Sequence, residues 1–256
     1  MSYHALATAV QFLTRVPLPG GMNRPGADRR LLTAAVPYFP LVGGLIGTFT
    51  AAVMALSLQL WPPIVAVLLG LLFEALLTGA FHEDAVADSG DAFGGGWTRE
   101  DVLRILKDSR IGSFGALALL LMVGLRAAGL MMVPAELLFA FVPASTAIGR
   151  WAILVLMVLV PPVPDREGLS KDVGERIRGI ALVFGSLAAL PFAAFAASYE
   201  PLRTGAAVAI VALLMLAWGR YVQSRIGGIT GDALGCGCYI AQVAVLLVLA
   251  AGTNRP

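Results

Sequence analysis

The sequence predicts an all-α, polytopic integral membrane helix bundle with about seven transmembrane helices. Three observations carry this expectation: composition, the recurrence of long apolar stretches, and an alternation of basic charge between them. Of the 256 residues, 58% are apolar and 13% charged, whereas a soluble domain carries about 25% charged residues. Mean hydropathy is +0.83. A soluble core of this size could not hide that much apolar surface, so the bilayer must act as solvent for much of it.

The apolar stretches run roughly over 34–60, 63–81, 113–133, 137–160, 179–198, 204–222 and 238–252. The first is long and is expected to start after Pro37 or Pro40; the last is short. Lys and Arg in the segments between them number 4, 0, 4, 0, 4, 1, 2 and 1 from the N-terminus onward. That alternation matches the positive-inside rule, which places the N-terminus and every long polar loop in the cytoplasm. The expected organisation is one integral membrane domain over 1–256 with a cytoplasmic catalytic loop at 82–112. Arg126 and Arg150 fall inside spans, where a charge is costly and is usually paired or functional. Glu74 lies in the second span and is expected to be protonated or paired with an arginine.

Other features exclude function classes. A net charge of +2, with no basic block or aromatic stacking pattern, is too mild for nucleic-acid binding. Cys236 and Cys238 are too close for an unstrained disulfide, and no further Cys completes a zinc site. No cleavable signal peptide is evident. Residues 3–17 read as an interfacial amphipathic helix, with Leu6, Val10 and Leu13 at helical spacing.

The acids are concentrated. Of 16 Asp and Glu, seven lie between 83 and 108: Glu83, Asp84, Asp88, Asp91, Glu100, Asp101 and Asp108. If the second membrane helix continues past Phe81, then Asp84, Asp88 and Asp91 lie within about 60° of one another on one stripe, and Glu83 points elsewhere. Carboxylates so arranged repel unless a cation sits among them. Hard oxygen ligands favour Mg2+, or Mn2+, which bind phosphates together with carboxylates. Gly94-Gly95-Gly96 can stop the helix and could also let a phosphate approach the backbone. Thr98 and Asp101 resemble a capping box for a short helix over about 99–107. Beyond it, Lys107 and Arg110 could clamp a diphosphate, with Asp108 orienting one of them; ordinary flanking charge fits equally. Asp232 sits in the polar island Gly227–Asp232 with Thr230, as a helix N-cap or as a ligand or base. His82 adjoins the stripe as a shuttle, a base or a packing residue.

These residues resemble the cobalamin synthase family, the adenosylcobinamide-GDP ribazoletransferases. Phe81–Gly96 (FHEDAVADSGDAFGGG) is similar to that family's H-x-D-G-L-A-D-x-x-D-G signature, and Lys107–Gly115 (KDSRIGSFG) matches its second segment without a break. Phe12–Pro17 matches F-L-T-R-x-P, Arg150-Trp151 an R-W pair within a span, and Gly227–Gly235 a G-G-x-T-G-D-x-L-G segment. Ala85 and Ala92 depart from the commoner glycines and leave every carboxylate in place. The resemblance implies a membrane glycophosphotransferase of the bacterial inner membrane. Its substrates would be adenosylcobinamide-GDP and α-ribazole or α-ribazole 5′-phosphate, and GMP would leave. On that reading Asp84, Asp88 and Asp91 hold magnesium, Lys107, Arg110 and Arg150 offset diphosphate charge, and Asp232 or His82 accepts the hydroxyl proton. A homo-oligomer is compatible with the sequence.

Two rivals remain at this stage. CDP-alcohol phosphotransferases share the clustered aspartates, but their D-x-x-D-G-x-x-A-R pattern is absent here. A transporter could use intramembrane Arg126, Arg150 and Glu74, but no inverted pair of broken helices is visible.

Overall fold

The computed structural model describes residues 3–18, 29–164 and 179–252. Arg24, Arg255 and the basic residues at 166, 171, 176 and 178, which entered the charge series, lie outside them. Helix α1 (Tyr3–Leu13) buries Ala5, Ala9 and Leu13, while Leu6 and Val10 are half-buried. The expected apolar stripe therefore turns onto the rest of the protein. Helix α2 (Arg29–Ala35), a 3-10 turn at Val36–Tyr38 and α3 (Phe39–Ser57) together make the first span. Pro37 falls in the 3-10 turn and Pro40 in the first turn of α3, where a missing N–H costs nothing.

Next come α4 (Pro63–Thr78), α5 (Phe81–Gly95), α6 (Arg99–Ile105) and α7 (Ser113–Met131). After a 3-10 turn at Ala135–Leu137 follow α8 (Leu138–Leu159), α9 (Gly179–Tyr199), α10 (Pro201–Ile226) and α11 (Gly231–Ala250). Among the described residues, six helical segments are each long and apolar enough to cross a membrane, and α4 and α5 pass that test only when taken together across a 90° break. The chain is a multi-pass membrane helix bundle.

Two boundaries differ from the sequence expectation. The second apolar run does not continue past Phe81. Helix α4 stops at Thr78, and α5 leaves it at 90°. The break is a Schellman-type cap: Gly79 takes φ 72°, and the Ala80 N–H donates to the Ala75 carbonyl at 2.9 Å. Ala80 itself sits at φ 55°, a conformation costly for a residue with a Cβ. The last span is longer than expected, because the polar turn at 231–237 is its first two turns and not a loop.

Helices α8 and α11 form the centre, each with 78% of its apolar window buried. For α7, α9 and α10 the share is 22%, 17% and 28%. These three present Leu117, Leu120, Leu187 and Leu213 outward, as lipid-facing helices do. Helix α3 packs closely on α8 through Gly43 and Gly47, where a Cβ would press on the α8 backbone. Helix α5 packs between α7 and α11 and is not among the six spans. We read it as lying outside the membrane-spanning segments, at one end of the bundle.

Candidate active site

Asp84, Asp88 and Asp91 share one face of α5, so the stripe survives although the helix carrying it is a separate one. Asp84 is exposed, and Asp88 and Asp91 are half-buried. The start of α11 brings Asp232 to the same place: Ser89 on α5 donates its hydroxyl to the Asp232 carbonyl at 3.4 Å. Thr230 accepts the Ala233 N–H and is the N-cap of α11, so Asp232 is not needed as the cap. Burial, then repulsion from Asp84, Asp232 and Asp91, pushes the Asp88 carboxyl up to about 6. No cationic side chain of the described residues offsets that charge at Asp88. The structure thus brings four of the expected carboxylates together.

Asp91 has a further attachment. Its carboxylate accepts the backbone N–H of Gly112 at 2.6 Å and of Gly115 at 2.8 Å. Those N–H groups open α7, so Asp91 acts as an N-terminal cap supplied from another helix, at the positive end of the α7 dipole. An ionised carboxylate has about four lone-pair sites, so Asp91 can still meet a cation. This contact pins the segment from Lys107 to Gly112 against the acidic helix. Within that segment Asp108 and Arg110 form a bidentate pair, with contacts of 3.0 Å and 2.6 Å. The Arg110 guanidinium holds the Asp108 carboxyl down at about 2. Lys107 and Arg110 are exposed.

Three further contacts hold this end of the bundle. Arg99 donates to the Ile226 carbonyl at 3.1 Å, and Arg225 to the Gly96 carbonyl at 2.7 Å. Ile229 pairs with the chain leaving α8: its N–H donates to the Pro161 carbonyl at 2.9 Å. Thr98 caps α6 as expected, accepting the Asp101 N–H at 3.1 Å and donating its hydroxyl to the Asp101 carboxylate at 2.9 Å.

Some expected site residues lie elsewhere. Gly94 and Gly95 are in the last turn of α5, where backbone N–H groups are taken by the helix ladder. They correct the idea of a free amide cradle, and a helix C-terminus repels phosphate. Arg150 is 1% exposed and donates to the Gln242 side chain at 2.6 Å. It belongs to a buried charge cluster centred on Glu74, not to the acidic stripe. There Arg126 meets Glu74 at 2.6 Å and Glu83 at 3.6 Å, and Arg150 meets Glu74 at 3.9 Å. Thr50 donates to Glu74 at 3.0 Å, and Tyr239 lies under the Arg126 guanidinium. Two arginines balance two carboxylates, and the cluster joins α3, α4, α5, α7, α8 and α11. His82 is buried beside it, its Nε2 without a hydrogen-bond partner among the described residues.

Sequence reasoning missed three participants. Glu83 turns inward to Arg126. Ser89 links α5 to α11. Arg15 lays its guanidinium over Gly79 at the α4–α5 break, where a Cβ would displace it; the F-L-T-R-x-P segment was the signal for it.

Among the described residues, no three His, Cys, Asp or Glu side chains are arranged as a ready-made metal-holding group. The donor chemistry still fits a hard cation, because Asp88 bears uncompensated repulsion from three carboxylates. No solved structure matches the chain. Curated relatives do. The chain is 38% identical to the adenosylcobinamide-GDP ribazoletransferase of Ralstonia nicotianae, over 98% of this chain and 96% of the relative. It is 41% identical to that of Ralstonia pickettii over 95% and 94%. For that of Rhizobium etli, identity is 40% over 95% of both chains. A family description of cobalamin-5-phosphate synthase matches residues 5–250, and with it the chain belongs to the cobalamin-5-phosphate synthase family.

Proposed function

We propose that this chain is the transferase that joins adenosylcobinamide-GDP to α-ribazole, or to α-ribazole 5′-phosphate, with loss of GMP. The ribose hydroxyl attacks the phosphorus nearest the cobinamide. The bond from that phosphorus to the bridging oxygen breaks, GMP carries the oxygen away, and a phosphodiester forms. The hydroxyl proton goes to a carboxylate; Asp232, half-buried next to Asp88, is better placed for it than the enclosed His82.

The observation that carries this reading is the convergence of Asp84, Asp88, Asp91 and Asp232 in a chain of this family. Phosphoryl transfer needs positioning and charge neutralisation above all. Asp84, Asp88 and Asp91 would hold Mg2+, or Mn2+, with Asp232 alongside. The ion would supply charge neutralisation at the diphosphate. Lys107 and Arg110, on the segment that Asp91 pins, would offset the remaining charge. Arg150 would act at a distance, by holding the buried cluster on which α5 rests.

The basic series supports placing the N-terminus and this end of the bundle in the cytoplasm, and the bacterial relatives support the inner membrane. Neither the CDP-alcohol nor the transporter reading is favoured by any contact described above.

The test is a product assay on the purified, detergent-solubilised chain with adenosylcobinamide-GDP, α-ribazole and magnesium. GMP and cobamide should appear in equal amounts and vanish with EDTA. Absence of both from folded protein sinks the activity; persistence in EDTA sinks the metal.

A further inference from the structure

Arg15 follows α1 and ends at the corner between α4 and α5. Its backbone N–H donates to the Leu77 carbonyl at 2.7 Å. Its guanidinium lies so close over Gly79 that a Cβ there would overlap Nε and Nη2. The turn that carries it is fixed as well: the Val16 N–H donates to the Thr14 hydroxyl at 3.2 Å, and that hydroxyl donates to the Val10 carbonyl at 2.7 Å. Yet Arg15 is exposed, and among the described residues nothing accepts a hydrogen bond from its guanidinium or pairs with its charge. Phe12, three residues earlier, sets its ring edge-on to Phe81 at 5.6 Å. On α5, Phe81 lies about 20° from Asp88, about 60° from Asp84 and about 80° from Asp91. The end of α1 therefore stands at the head of the acidic stripe, one turn before Asp84. Lys107 and Arg110 belong to the other end, about 10 Å along α5, where Asp91 pins their segment.

We propose that Arg15 binds the 5′-phosphate of the acceptor, and so sets the preference for α-ribazole 5′-phosphate over α-ribazole. The inference rests on the transferase reading above and names the residue that tells the two acceptors apart. In an in-line displacement the attacking and leaving oxygens lie on opposite sides of the phosphorus. With the departing GMP beside Lys107 and Arg110, the attacking hydroxyl comes from the Asp84 end, which brings the rest of its nucleotide towards Arg15. A phosphate monoester carries about −1.5 to −2 charge at pH 7. The converging aspartates would repel it unless a cation met it on arrival. A guanidinium matches phosphate oxygens two at a time. The Gly79 seat and the bond to Leu77 hold this one in place beforehand, so little side-chain freedom is lost on binding. Arg15 also lies near the C-terminal carbonyls of α4, where a positive charge is favourable. That role alone would serve both acceptors alike.

The test compares α-ribazole 5′-phosphate with α-ribazole on the full purified chain in detergent, by equilibrium dialysis and by steady-state kinetics. The thermal midpoint reports folding separately. Arg15→Gln should cut the preference for the phosphorylated acceptor, read as the ratio of the two Kd values and of the two kcat/KM values, about tenfold or more. Arg15→Lys keeps the charge beside α4 and loses the planar fork, so it should fold like wild type and cut the same ratio by less. It decides the matter if Arg15→Gln does not fold. An unchanged ratio in the folded variants overturns the inference, whether both acceptors suffer equally or neither does. So does a loss confined to the KM of adenosylcobinamide-GDP. If dialysis shows the phosphate-dependent loss and yet no GMP is ever released by wild type, the activity reading fails and the phosphate site stands.

Discussion

Asp91 on α5 caps Gly112 at the start of α7, its carboxylate 2.6 Å from that backbone N–H. One side chain thus joins the acidic helix to the loop that carries Lys107 and Arg110. Both of its oxygens are used, since the second takes the Gly115 N–H at 2.8 Å.

Replacing Asp91 separates its two roles. Asp91→Asn keeps an amide oxygen that can accept one N–H but removes the charge that the α7 dipole favours. Asp91→Ala removes the cap outright. Cap losses cost about 0.5–2 kcal/mol. Asp91→Ala should therefore lower the thermal midpoint in detergent clearly, and Asp91→Asn by less. Both should lose most activity: Asp91→Asn removes a carboxylate proposed to hold the cation, and Asp91→Ala also unties the cationic loop from the stripe. An Asp91→Ala protein as stable as wild type would show that the cap contributes nothing.

The carboxylate cluster makes a pH-dependent claim. Asp88 titrates at about 6 in the folded chain, above its ordinary value of 3.8. Its ionised form is the costly one, so the metal-free fold is favoured below pH 4 at this site and loses that contribution as pH rises through about 6. A cation can offset the loss only where Asp88 is ionised. Magnesium should raise the thermal midpoint at pH 8 and leave it unchanged at pH 5. Turnover should fall as pH drops through about 6. Asp88→Asn should abolish turnover and the magnesium shift while the protein still inserts and folds. Near-normal activity in that variant would remove the metal assignment.

The bundle itself was legible because the bilayer imposes length and charge rules that hold one segment at a time. The acidic stripe was legible because helical spacing places Asp84, Asp88 and Asp91 together whichever helix carries them. What could not be read depends on partners far along the chain. Glu74 finds Arg126 52 residues away, and Asp91 finds Gly115 24 residues away. Arg150 looked like a phosphate ligand because its true partners, Glu74 and Gln242, are supplied by α4 and α11. The end of α4 was hidden because the apolar run continues to Phe81, while the break rests on backbone dihedrals at Gly79 and Ala80.

The Glu74–Arg126 pair is fully enclosed, with side chains 3% and 2% exposed. Removing one partner of a buried pair costs about 3–5 kcal/mol, because the other charge stays behind. Arg126→Met should sharply reduce the folded yield after extraction, measured by monodisperse elution. Adding Glu74→Gln to that variant should restore part of the yield. If Arg126→Met alone folds as well as wild type, Arg150 carries the Glu74 charge by itself.

The α4–α5 bend can be tested at two adjacent residues with opposite expected signs. Gly79 holds φ 72°, and a Cβ there would also collide with the Arg15 guanidinium. Ala80 holds φ 55° and already carries a Cβ. A left-handed conformation costs a residue with a Cβ about 1–2 kcal/mol. Gly79→Ala should lower the thermal midpoint and reduce turnover, since the direction in which α5 leaves the membrane helix sets where the aspartates stand. Ala80→Gly removes a strain and gives back part of the gain as unfolded-state entropy. It should match or slightly exceed wild type in midpoint and keep full activity. The comparison decides whether the bend is rigid by need: if Gly79→Ala keeps both stability and turnover, the right angle between the two helices is not what places the acids.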